Sequence, residues 1–144
     1  NYESTFIEVA EDCSASTGLE PPLRVSGLSI ARMQYECLAA HPYAYTSDEL
    51  LLALHVTRHR VPADGVDGAR RALSSKGQPC MRASDLAKKY GWGVHFDDRG
   101  RMALYAVDSH EYARFREDPA LIHKRAMRSV GRSTAANSET FAEE

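Results

Sequence analysis

The sequence predicts an α+β fold in which a small antiparallel sheet packs against several short helices. Three observations support this fold class. The N-terminal segment STFIEVAED is rich in β-branched and aromatic residues, which favour strands. Apolar residues recur at helical spacing through the middle of the chain. In WGVHFDDRGRMALY, apolar residues alternate with polar or small ones on both sides of a turn, as in hairpins. Because strands and helices are grouped instead of alternating as βαβ units, we expect Thr5–Val9 to join the hairpin in one three-stranded sheet.

Two helices are predicted between the first strand and residue 62. The first lies in LSIARMQYECLAAH, with Ser29 or Ser26 as its N-cap. Pro42 ends this helix, because proline lacks the backbone donor that a helix needs. Thr46 or Ser47 begins the second helix, and two acidic residues in its first turn favour the positive end of the helix dipole. Its body, LLLALHV, is apolar on nearly all sides, which predicts a central position in the core.

Shorter helices are predicted in the second half of the chain. A short exposed helix is expected around Val66–Leu73, and Ser84 caps another in DLAKKY. Ser109 caps a helix in HEYARFRED. Asp118 and Pro119 are expected to begin a last helix through ALIHKRAMRS, since proline is tolerated at the first helical position.

The register of the hairpin follows from its turn. DDRG suits a type I turn with Gly100 in the left-handed conformation, which pairs Phe96 with Met102 and His95 with Ala103. Residues directly opposite each other share a face. The apolar face, which we expect to pack on the helices, contains Trp92, Val94, Phe96, Met102 and Leu104. The polar face of the hairpin contains Gly93, His95, Asp97, Arg101, Ala103 and Tyr105. This polar face is either a shallow binding floor or a solvated sheet surface.

Size and composition predict one soluble domain. The chain has 144 residues, of which 43% are hydrophobic and 26% charged, as is typical of globular domains. We predict a single α+β domain over residues 1–130 and a flexible tail over residues 131–144, where GRSTAANSETFAEE is mostly polar. The net charge of -2 provides no overall attraction to nucleic acid or to an acidic membrane.

The cysteines indicate the compartment. The chain has three cysteines, Cys13, Cys37 and Cys80, which is an odd number. No two of them form a CxxC pair. The sequence contains no recognisable signal peptide and no apolar run of membrane-spanning length. These features predict free thiols in a reducing, cytoplasmic compartment, without membrane association.

Four segments carry a resemblance to a known family. They are STFIEVAEDC, ARMQYECLAAHPYAYTSDELL, KGQPCMRASDLAKKYGWGVHFDDRGRMALY and AMRS. In this order they resemble the signature blocks of a bacterial domain-of-unknown-function family, over about residues 4 to 130. The resemblance implies a soluble bacterial protein and implies no activity. Asp85 stands where members of the family often have proline, and the tail after Arg132 has no counterpart.

A Cys/His-dependent enzyme is one hypothesis. The thiol of Cys80 precedes the helix capped by Ser84 and lies near Arg82, and a helix N-terminus and a cation both favour the thiolate. His95 or His55 is the candidate base. Against this hypothesis, the spacing matches no local catalytic signature, and a free cysteine is commonly a small buried apolar residue.

Metal and nucleotide chemistry are not predicted. His55 and His59 share a helix face, as ligand pairs do, but no acidic residue lies between them and Arg58 and Arg60 flank His59. The sequence contains neither GxxxxGKS nor GxGxxG. We therefore expect no metal and no cofactor.

Nucleic-acid binding is the main alternative to a ligand-binding protein. The predicted elements follow the order of a winged helix: two helices, a short helix and a hairpin. In this comparison DLAKKY is the reading helix. Lys88, Lys89, Arg99 and Arg101 are its candidate phosphate contacts. The short helix, the two aspartates at the wing tip and the negative net charge disfavour it.

The sequence favours a small-ligand or protein-binding module over an enzyme. Arg82 and Lys88 are candidates for binding a small anionic ligand, and His95 and Tyr105 for hydrogen bonding or proton transfer. The loop HPYAYT, which begins at His41, forms a pocket if it lies over the polar face of the hairpin. Second candidates for the site are Glu36 and His55. A protein partner remains the other possibility.

Overall fold

A four-stranded sheet carries five helices in the computed structural model, which describes residues 2–23, 29–75 and 80–129. In chain order the elements are β1 (Thr5–Glu8), α1 (Ile30–Ala40), α2 (Ser47–His59), α3 (Val66–Ser74), α4 (Asp85–Lys88), β2 (Trp92–Phe96), β3 (Met102–Ala106), α5 (His110–Arg116) and β4 (Ile122–Arg125). Single 3-10 turns precede α3 and α4, at Ala63–Gly65 and Met81–Ala83. The α+β class is confirmed. The predicted tail lies outside the described residues.

The sheet has the strand order β3-β2-β1-β4. β2 and β3 form the predicted hairpin, with Phe96 opposite Met102 and His95 opposite Ala103. β1 pairs antiparallel with β2, as expected for the N-terminal strand. Gly100 has a φ of 79°, the left-handed conformation that the turn requires.

The prediction of a helix beginning at Asp118 is wrong, because residues Ile122–Arg125 form β4, parallel to β1. The sheet is therefore mixed, whereas the sequence predicted only antiparallel pairs. The backbone N–H of Ile122 donates to the carbonyl of Ser4, and that of Ala126 to the carbonyl of Glu8. β1 is buried between its neighbours, so the backbone groups on its second edge need hydrogen-bond partners. The pairing of β4 with β1 therefore outweighs the local helical pattern of this segment.

The N-cap residues predicted for four helices are found in the structure. Ser29 caps α1, while the alternative cap Ser26 lies outside the described residues. Thr46 caps α2, and the side chain of Glu49 accepts from its backbone N–H in return, which completes a capping box. Ser84 and Ser109 cap α4 and α5. Four of the predicted helix starts are therefore correct.

The apolar core lies between one face of the sheet and the helices α1, α2 and α4. The apolar face of the hairpin enters this core, as predicted, with Val94, Phe96 and Met102 fully buried. Leu50 and Leu54 of α2 pack there, but the other apolar residues of that helix are only half-buried. No helix among the described residues has the length and apolar character that a membrane crossing requires.

Candidate functional site

The polar face of the hairpin is covered by α5. The ring of Phe115 stacks on the imidazole of His95, with centroids 4.1 Å apart and planes inclined by 15°. Tyr112 is buried against Phe6, and its hydroxyl accepts a hydrogen bond from the backbone N–H of Val9. This face is therefore neither the open binding floor nor the solvated surface considered from the sequence.

The loop HPYAYT does lie against this face, and it contributes Tyr43. The Tyr43 hydroxyl lies 2.8 Å from Nδ1 of His95 and 2.9 Å from the hydroxyl of Tyr105. Backbone hydrogen bonds from Tyr43 N to Met102 O and from Met102 N to Tyr45 O fix the loop to β3. His41 is exposed, and the centroid of its ring lies 6.3 Å from that of Tyr45.

The three polar groups form a continuous hydrogen-bonded chain, and burial favours the neutral forms of His95 and Tyr43. Burial lowers the pKa of His95 below its ordinary value, although the nearby carboxylates of Asp97 and Asp118 oppose this shift. Burial and the hydrogen bond with Tyr105 raise the pKa of Tyr43. A neutral imidazole at His95 and a neutral phenol at Tyr43 suit a structural hydrogen-bond network that fixes the loop to the sheet.

We expect protonation of His95 to destabilise the fold. Its pKa is lowered from the ordinary value of 6.5, so the unfolded chain binds this proton first as the pH falls. The stabilisation is complete above pH 6.5, declines as the pH falls through that value, and levels off below the folded-state pKa. Urea unfolding between about pH 7.5 and pH 5 measures this slope.

Two matched variants isolate the effect of His95 from the other histidines. His95→Asn keeps a polar group near the Tyr43 hydroxyl but cannot titrate, so we expect a shallower dependence of the free energy of unfolding on pH. His110→Asn changes an exposed histidine at the start of α5 and is expected to keep the original slope. Equal slopes in His95→Asn and the parent protein would show that His95 is not the group responsible.

Cys80 and Arg82 lie on the other side of the sheet from His95. The hydroxyl of Tyr2 donates to the Cys80 thiol over 3.6 Å, and the Tyr2 ring packs edge-on against Phe96 in the core. Arg82 donates from Nε to the carbonyl of Arg125, 2.7 Å away. The structure therefore does not bring Cys80 or Arg82 together with His95 and Tyr105.

Cys80 instead lines a groove that the sequence did not reveal. The α2 groove is a cavity of about 710 Å³ between α1, α2, α3 and the segment from Cys80 to Asp85. Its apolar walls come from Ile30, Ala31, Leu50, Leu51, Leu54, Leu73 and Met81. Of the two predicted bases for Cys80, His55 lines the same groove and His95 does not.

Polar groups from several elements also face the α2 groove. Gln34 and Ser84 hydrogen-bond each other across α1 and α4 at 2.6 Å. The ring centroids of His55 and His59 lie 4.5 Å apart, and Arg58 lies between these residues in the sequence. Among the described residues, no cluster of three or more His, Cys, Asp or Glu side chains is arranged to hold a metal ion.

The other predicted site residues occupy ordinary positions. Lys88 is half-buried in the last turn of α4. Glu36 forms an ion pair with Arg32 one turn earlier on α1. A second hollow of about 710 Å³ lies between α2 and α3 alone, so fewer elements converge on it than on the α2 groove.

The short helix predicted as a nucleic-acid reading element packs into the core. α4 contains only four residues, and two of them, Leu86 and Ala87, are fully buried against the core. A helix that reads the major groove presents several exposed side chains along its length. α4 therefore lacks the surface of a recognition helix.

The fold and the groove define an α+β protein with a cavity among its helices. A model of a family of unknown function, DUF6157, matches residues 1–132, so the chain belongs to that family. No curated protein and no solved structure matches the chain significantly.

Proposed function

We propose that this protein is a small-ligand-binding module whose site is the α2 groove. The observation that carries the proposal is the groove itself, about 710 Å³ in volume and walled by leucines, with a few polar groups at its margin. Ligand pockets are typically clefts of about 300–1,000 Å³ with apolar linings and a small number of polar groups that orient the ligand. The α2 groove meets both conditions.

The apolar character of α2 supports this role. In LLLALHV only Leu50 and Leu54 are buried in the core, while Leu51 is half-buried and lines the groove. Covering such a leucine with a ligand removes apolar surface from water, which stabilises a complex by roughly 25 cal/mol per Å². Of the half-buried apolar residues of α2, Leu51 lines the α2 groove, whereas Leu52, Ala53 and Val56 line the second hollow between α2 and α3.

We further propose a bacterial, cytoplasmic protein with residues 1–130 as one domain. Support comes from the four signature segments and from Cys13, Cys37 and Cys80, which are all free thiols in the described residues. The roles of Arg82 and Lys88 in anion binding, and of His41, His95 and Tyr105 in ligand contact, stay predictions. None of these five residues lines the α2 groove.

The proposal is tested with Nile red, a neutral apolar dye that fluoresces when it leaves water. We expect saturable binding of one dye per folded protein, and loss of binding in Ala83→Phe, which adds a ring to the wall of the groove. Ala39→Phe makes the same change on the exposed side of α1 and is expected to bind like the parent protein.

Circular dichroism checks that both variants are folded. Each must show the spectrum of the parent protein before its dye binding is compared. Equal dye binding by folded Ala83→Phe and the parent protein would remove the α2 groove as the site. Absence of saturable binding by the parent protein would reject the proposed function as a whole.

A further inference from the structure

We infer that the ligand of the α2 groove is an amphiphile with one carboxylate, held with its anionic end at Arg58 and its apolar body along Leu51 and Leu54. This inference rests on the proposed function and specifies the class of ligand. It follows from the shape of the groove along α2 and from the charges at the C-terminal end of that helix.

The groove follows one face of α2 over most of its length. The lining residues of this helix are spaced by three and four positions, which places them on one stripe: Ser47, Asp48, Leu50, Leu51, Leu54, His55, Arg58 and His59. At a rise of 1.5 Å per residue, Leu51 and His59 are separated by about 12 Å along the axis. An elongated apolar ligand matches this surface better than a compact polar one.

The cationic end of that stripe is at Arg58. Arg58 lies beside His55 and His59 in the last two turns of α2. No carboxylate of residues 2–23, 29–75 or 80–129 lies within ion-pair distance of the Arg58 guanidinium. A guanidinium presents paired N–H donors that match the two oxygens of a carboxylate.

The carboxylates of the groove are placed so that they favour one ligand orientation. Asp48 lies in the first turn of α2, about 15 Å along the axis from Arg58. Asp85 is 3.9 Å from the ammonium group of Lys89, which offsets its charge. A ligand with its carboxylate at Arg58 and an uncharged tail towards Asp48 keeps its anionic end away from the acidic side chains at the start of α2.

The chemistry of the wall limits the rest of the ligand. Between Asp48 and His55 the α2 stripe offers Leu50, Leu51 and Leu54, which provide no hydrogen-bond partner for a polar body. A second charged group along the chain would lose its hydration there without compensation. The geometry therefore points to a single-headed molecule of the acyl carboxylate type.

The test compares three probes with the same alkyl chain and different head groups: laurate, dodecanol and dodecyltrimethylammonium, each below its micelle-forming concentration. Each probe displaces Nile red from the parent protein. We expect laurate to bind up to about fivefold more tightly than dodecanol, because an ion pair at an exposed arginine contributes up to about 1 kcal/mol. The cationic probe is expected to bind most weakly.

Variants assign the head-group preference to Arg58. Arg58→Gln is expected to lose the preference for laurate while dodecanol binds as before. Arg114→Gln removes an exposed arginine from α5, on the other side of the sheet, with the same change in net charge, and is expected to keep the preference.

The outcomes separate this inference from the proposed function. Equal binding of laurate and dodecanol, or tighter binding of the cation, overturns the inference while leaving a ligand-binding groove. Unchanged laurate preference in Arg58→Gln also overturns it. Failure of the parent protein to bind Nile red or any of the three probes rejects the proposed function, and the inference with it.

Discussion

Replacing Gly93 by alanine is expected to lower the free energy of unfolding by about 1–3 kcal/mol, the usual range for overpacking a core. A Cβ at this position would lie 2.6 Å from Cε2 of Tyr112 and 2.7 Å from Cζ of Phe6. Both rings are buried and cannot move into solvent. Urea unfolding monitored by circular dichroism measures the loss as a lower midpoint with an unchanged slope.

Gly68→Ala is the matched control for this change. Gly68 lies on the exposed side of α3, where the nearest side-chain atom to a new Cβ is Nη2 of Arg71 at 3.8 Å. Alanine is a better helix former than glycine, so we expect this variant to gain about 0.5–1 kcal/mol. If Gly93→Ala were as stable as the parent protein, α5 would not pack on the sheet as described.

Replacing Tyr43 by phenylalanine is expected to cost about 1–2 kcal/mol, because it leaves the half-buried polar groups of His95 and Tyr105 without this partner. The lost hydroxyl bridges Nδ1 of His95 and the hydroxyl of Tyr105. Tyr43 also has a φ of 61°, an uncommon conformation for a residue with a side chain, so the loop depends on such contacts to hold it. Urea unfolding at neutral pH measures the cost.

Tyr45→Phe provides the control in the same loop. The ring of Tyr45 packs at the edge of the core, and its hydroxyl forms no hydrogen bond with any residue that the structure describes. We expect its removal to change the free energy of unfolding by less than about 0.5 kcal/mol. Equal effects of the two substitutions would contradict a specific role for the hydrogen-bonded chain at His95.

The parts of the fold that the sequence predicted depend on local interactions. Ser84 and Ser109 begin their helices by accepting bonds from backbone N–H groups only two or three residues away. The hairpin register follows from the turn at Gly100 and from alternation within ten residues. β4 escaped prediction because its partner, β1, is more than a hundred residues away, and no feature of LIHKR indicates that pairing.

The same distinction applies to the candidate sites. Register alone placed His95 and Tyr105 on one face. The sequence left the position of the HPYAYT loop open, and the structure brings its Tyr43 to that face. The covering of the face by Phe115 could not be read from sequence, because it depends on how α5 docks. The sequence did not reveal the α2 groove, because LLLALHV is apolar on nearly all sides and, of its half-buried apolar residues, only Leu51 lines the groove.

The most direct test of a binding site in the α2 groove is a titration of the uniformly ¹⁵N-labelled protein with laurate, followed by two-dimensional NMR. We predict that the largest amide shift changes occur at Leu51, Leu54, Arg58 and Ala83, along α2 and the facing segment. Amides at Gly93 and His95, on the opposite side of the sheet, are expected to change little. Shifts concentrated at His95 and its neighbours, or no saturable shifts at all, would contradict the account.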